Sequence, residues 1–77
     1  MSTPSFTDNE KSFLRAALAQ QDVNGGEFSF IDLNLYGYDV SYRTRFATLG
    51  SLVKKGAVTE PVEGWSTVLV DRSSLLC

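Results

Sequence analysis

The side chains able to do chemistry in this chain are carboxylates and cations. Its 77 residues carry nine Asp and Glu, seven Lys and Arg, one Cys and no His. Without imidazole, and with Cys77 at the last position, zinc lacks its usual nitrogen and sulfur ligand set, and neither a Ser-His nor a Cys-His nucleophile can be assembled. The lone thiol rules out an internal disulfide and reads as inert in a reducing compartment. Gly25-Gly26 is followed by Glu27 and Phe28 rather than by Lys and Ser or Thr, so it is no phosphate-binding loop. Carboxylate-only acid–base work needs a pocket, and a chain this short has little volume left for one after filling its core. The expectation is a non-enzymatic protein with no cofactor and no metal.

The cations are unevenly distributed. Residues 39–56 hold Arg43, Arg45, Lys54 and Lys55 against Asp39, a net +3, whereas residues 1–38 sum to −3 and residues 57–77 to −2. Phosphate contacts supply much of a nucleic-acid binder's affinity. A local surplus therefore says more than the overall charge of −2 and the pI of about 4.8.

The elements that must position these cations are legible in outline. Thr7 and Glu10 form a capping-box pattern, and Asp8 adds a favourable charge at a helix start. Phe13, Leu14, Ala17 and Leu18 follow at helical spacing, with Arg15, Gln20 and Gln21 off that stripe, and Asn24-Gly25-Gly26 stops a first helix of about 7–22. Ser29 with Asp32 offers a second cap, and Gly37 a terminator, for a short helix over 30–35. Asp39 or Ser41 opens a third helix that runs to about Lys55, where Gly56 ends it. Its apolar face is predicted from Tyr42, Phe46, Leu49 and Val53; Thr44, Ala47, Thr48, Ser51 and Lys55 lie opposite. Gly50 inside it costs stability relative to Ala and suggests the close approach of another group. Residues 57–59 and 66–70 alternate as strands around a Pro61 and Gly64 turn. Val58, Val68 and Val70 share the buried face, and Trp65, Thr67 and Leu69 the other.

Composition is that of one globular domain over 1–77, with 1–6 and 73–77 as loose ends. No apolar run is long enough to span a membrane, and the first residues lack the basic and apolar regions of a secretory signal, so a cytoplasmic location is expected. With no disulfide or metal, dense helix packing or self-association must supply the stability.

Leu49-Gly50-Ser51-Leu52-Val53-Lys54-Lys55-Gly56-Ala57-Val58 resembles the L-x-x-L-x-x-K-G-x-V ending of a winged helix-turn-helix recognition helix, which runs straight into the first wing strand. The succession helix, short helix, helix, hairpin over about residues 8–71 is similar to that family as well, although only 46–58 match it at residue level. The resemblance implies an α+β fold of three helices and a C-terminal two-stranded hairpin wing. It also implies a third helix that enters a major groove of double-stranded DNA. Carried over, Arg43, Thr44, Ala47 and Thr48 would face bases, and Ser41, Arg45, Lys54 and Lys55 the phosphate backbone. Arg43 suits guanine, the two threonines suit several bases, and Ala47 suits a thymine methyl. Arg45 also lies near the apolar stripe, where its stem can cover the core.

Two functions follow. One is a small DNA-binding regulator, dimeric because about four cations bind weakly alone, with the first helix or the Leu75-Leu76 tail as dimer contact. The other starts from the wing, whose Glu60 and Glu63 depart from the family's basic pattern and would be repelled by phosphates. With Trp65 and Leu69 they suit a protein partner, as in an adaptor or a phage-encoded modulator of a host factor. The simpler expectation for Trp65 is that it folds back onto the core.

Overall fold

The chain enters its first helix through the capping box expected of it. Thr7 Oγ1 accepts from the Glu10 amide at 3.1 Å, and Glu10 Oε1 accepts from the Thr7 amide at 2.9 Å, so two of the orphan donors of a helix start are satisfied reciprocally. In the computed structural model, which describes residues 6–70, this helix α1 spans Asp8–Asn24 and ends at Gly25 with φ +83°. Then come β1 (Phe28–Ser29), a 3-10 helix (Phe30–Tyr36), α2 (Tyr42–Lys54) and β2 (Trp65–Ser66). The architecture is α+β, three helices with a two-stranded antiparallel sheet.

The sheet register pairs Phe28 with Ser66 and Ser29 with Trp65. The chain then continues from β2 into a bridge between Val68 and Val58, closed by hydrogen bonds from Leu69 N to Ala57 O and from Thr59 N to Thr67 O. At the other end Val62 and Trp65 exchange two backbone bonds of 2.9 and 3.0 Å across Glu63 and Gly64. Both turn residues have positive φ, +55° and +88°, as a tight two-residue hairpin requires. The strands expected over 57–59 and 66–70 are not formed as such: they meet only at the Val58–Val68 bridge, and the two-stranded sheet is made by β1 with β2 instead. The expected alternation holds in part, with Val58 and Val68 buried and Leu69 and Trp65 exposed, while Val70 and Thr67 are both half-buried.

The core forms where the buried stripe of α1 meets these segments. Phe13 has no exposed surface and packs edge-on against Phe28 at 5.8 Å and Tyr38 at 5.4 Å, with Leu14, Leu33, Leu49, Leu52 and Val58 around them. Each such side chain contributes roughly 1.5–3 kcal/mol by burial, so the fold depends on a short list of residues. Residues 71–77, including the Leu75-Leu76 tail and Cys77, lie outside the described residues, as do residues 1–5.

Four further expectations are corrected. Gln20, expected off the buried stripe of α1, belongs to it, and Gln21 is half-buried. Gln20 is buried and clasps the backbone of Ser29, donating to its carbonyl at 3.2 Å and accepting from its amide at 2.5 Å, and Gln21 Oε1 accepts from Val68 N at 2.6 Å. Ser29 does not cap the 3-10 helix through its side chain, although Gly37 ends that helix at φ +98° as expected. The buried face of α2 is rotated from the predicted one. Thr48, Leu49 and Leu52 are buried, whereas Tyr42 and Phe46 are 53% and 57% exposed, lying with Phe30 in a cluster of rings at the rim. Gly50 has no close neighbour, since a Cβ built on it meets nothing within 4 Å.

Candidate nucleic-acid interface

Ser41 opens α2 as its N-cap, accepting from the Thr44 amide at 3.2 Å, and the helix then presents a strip of residues to solvent. At about 100° per residue, the direction opposite Leu49 and Leu52 is occupied by Arg43, Ala47, Gly50 and Lys54. All four are exposed. The strip therefore has a cation at each end and the two smallest side chains between them, so another surface can approach the helix backbone closely. Thr44 is exposed on one flank, where a concavity of about 410 Å³ separates Arg43, Thr44 and Ala47 from Thr7, Asn9 and Glu10 at the start of α1.

Three of the residues expected at DNA are engaged elsewhere. Thr48 is 5% exposed; its Oγ1 donates to Thr44 O and accepts from Asn9 Nδ2 at 2.7 Å, with the Tyr38 hydroxyl 3.1 Å away. This network joins both helices to Tyr38, and with one bond donated and two accepted the Thr48 hydroxyl has no capacity left for a base edge. Arg45 turns back onto the 3-10 helix, where its Nη1 donates to the carbonyl of Ile31 and to Asn34 Oδ1. It thereby braces a seven-residue 3-10 segment, longer than this geometry usually persists. Lys55 Nζ lies 2.6 Å from Glu10 Oε1 and 5.6 Å from the centre of the Phe6 ring. Ser41, Arg43, Thr44, Ala47 and Lys54 remain exposed.

The sequence pattern marks Glu10 only as a capping residue. Its buried carboxylate also accepts from Ser51 Oγ at 2.8 Å, so one side chain ties the start of α1 to the end of α2. Burial alone would push its pKa up. Hydrogen bonds from Lys55, the Thr7 amide and Ser51 outweigh that and hold it below the ordinary carboxylate value. The spacing of Thr7 and Glu10 signalled the cap, but nothing local pointed to Lys55, which lies 45 residues away.

At the hairpin, Trp65 is 42% exposed instead of folding into the core, and Glu60, Glu63 and Leu69 are exposed with it. No helix among the described residues is long and apolar enough to cross a membrane. No protein-family model matches this chain, and no curated protein or solved structure is significantly similar to it.

Proposed function

We propose that the chain is a small winged-helix domain that binds double-stranded DNA through α2, as a transcriptional regulator would. The observation that carries this reading is the exposed strip Arg43, Ala47, Gly50 and Lys54, narrow enough to enter a major groove and positive at both ends. The order α1, β1, 3-10 helix, α2 and hairpin supports the same reading, with the 3-10 helix in the place of the short second helix. With Arg45 and Lys55 held by protein partners, each copy offers Arg43 and Lys54 as its main phosphate and base contacts from α2. Binding by one copy is then weak, and a useful affinity calls for two copies on one site.

The test is fluorescence anisotropy of labelled duplex DNA over a range of salt concentrations. Two phosphate-directed cations per copy give a slope of log K against log salt of about −2 per protomer. Lys54→Ala lowers that slope by about 1, while Arg43→Ala costs roughly 1–3 kcal/mol on a preferred sequence. Absence of binding at low salt refutes the reading.

A second reading is favoured by the exposure of Trp65 beside Glu60 and Glu63: a winged-helix adaptor whose wing meets a protein. Large aromatics in a shallow recess are common anchors of such contacts.

A further inference from the structure

Beside the strip of Arg43, Ala47, Gly50 and Lys54, α2 carries an apolar flank. At about 100° per residue Tyr42, Phe46, Gly50 and Val53 line up along it, above the buried Leu49. The Tyr42 and Phe46 rings stack at 6.3 Å and are 53% and 57% exposed. Two recesses meet at Phe46. One, of about 330 Å³, lies among Tyr42, Arg43 and Phe46. The other, of about 190 Å³, runs between α2 and the hairpin, among Phe46, Leu49, Gly50, Val53, Glu60 and Pro61.

This face is its own complement. Bulky rings and the Arg43 cation stand towards the N-terminal end of α2, and a groove at Gly50 with the Glu60 carboxylate stands towards the other end. Lys54 lines neither recess. Among the described residues neither Arg43 nor Glu60 has an ion-pair partner.

We propose that a second copy of this chain covers the face, with the two α2 helices antiparallel about a two-fold axis. Such an axis lays the N-terminal end of one copy's face on the C-terminal end of the other's. Phe46 of each copy then enters the partner's groove at Gly50, where no Cβ stands in its way, and Arg43 of each meets the partner's Glu60. An aromatic side chain carries about 150–250 Å² of surface, so the four half-exposed rings of two copies hide roughly 400 Å² by themselves. That is about a third of the roughly 1,200 Å² at which stable specific interfaces begin, which makes this a weak, reversible dimer.

Helices packed side by side lie about 8–10 Å apart, whereas two copies reading successive turns of one duplex stand about 34 Å apart. The pair is therefore not the DNA-bound arrangement, and it holds Arg43 away from DNA. That consequence rests on the DNA reading of α2. The pairing itself does not, and it is tested without DNA, so failure of one leaves the other standing.

Sedimentation equilibrium of the purified full chain is run from about 10 µM to about 1 mM, with reductant present so that Cys77 cannot cross-link. The expected result is a reversible rise in mass from 8.5 kDa towards twice that value. Phe46→Lys, at an exposed position, lowers the association constant at least about tenfold with an unchanged circular dichroism spectrum. Arg43→Glu and Glu60→Arg each lower it several-fold, and the two together regain most of the loss. A mass of 8.5 kDa at every concentration overturns the proposal. Association indifferent to Phe46→Lys overturns the assignment of this face, and a double reversal no tighter than either single one overturns the antiparallel pairing.

Discussion

Replacing Glu10 with Gln tests how the two helices are held together. Gln is an accepted partner in a capping box, so the bond from the Thr7 amide survives. What is lost is the negative charge that Lys55 and Ser51 address at 2.6 and 2.8 Å. A hydrogen bond to a charged group is worth about 1.5–3 kcal/mol against about 1 for a neutral one, so two such bonds lose roughly 2 kcal/mol. The Lys55 side chain is 32% exposed and partly resolvated, which reduces the expected cost to about 1–2 kcal/mol at pH 7. For a domain this small that is a fall in Tm of roughly 5–15 °C. Glu10→Ala also removes the reciprocal bond from the Thr7 amide, though not the Thr7 cap itself, and costs up to about 1 kcal/mol more.

The sign with pH follows from the lowered pKa of Glu10. The folded protein binds this proton less readily than the unfolded chain, so the contribution is complete above the ordinary carboxylate value of 4.5 and is lost as pH falls through the lower folded value. Urea unfolding of both proteins, followed by Trp65 emission and far-ultraviolet circular dichroism, should show the gap between wild type and Glu10→Gln narrowing progressively as pH falls below 4.5. A gap that is absent at pH 7, or that does not narrow at all as acid is added below pH 4.5, would refute the assignment of Glu10 as the charged tie.

Two further substitutions test the placement of α2. Gly50→Ala should stabilise the protein by up to about 1 kcal/mol in thermal unfolding, because the helix gains propensity and the new methyl meets no neighbour; a loss of stability would mean that something packs there. Phe46→Ala should cost well under the roughly 2–5 kcal/mol of Leu52→Ala, since only Leu52 leaves a cavity in the core. Equal costs would restore the predicted apolar face.

Helix boundaries were readable because caps and stops are local. Thr7 with Glu10, Ser41, Gly37 and Gly56 act within a few residues, and all four stand where α1, α2 and the 3-10 helix begin or end. The hairpin turn at Gly64 was readable for the same reason. The rotation of α2 was not, because large apolar side chains were assumed to face inward. Tyr42 and Phe46 gain their contacts from Phe30 at the rim, while the smaller Thr48 reaches the interior by satisfying its hydroxyl on Asn9, Tyr38 and its own helix. The two-residue β1 carries no period for a sequence to display, and it is held by Gln20, whose partner is set by tertiary contact. The same long-range pairing removed Arg45 and Lys55 from the candidate interface. A charge count along the chain cannot separate a cation that meets a partner from one that closes the fold.

The most direct test of the central claim is a residue-resolved one. Backbone amide spectra of isotope-labelled protein are recorded while a random-sequence duplex is added at low salt. If α2 reads DNA, the largest shifts fall on Arg43, Thr44, Ala47, Gly50 and Lys54, with the core silent and the Trp65 indole unmoved. Shifts centred on Trp65 and the wing, or none at all, would contradict α2 as the DNA-reading element.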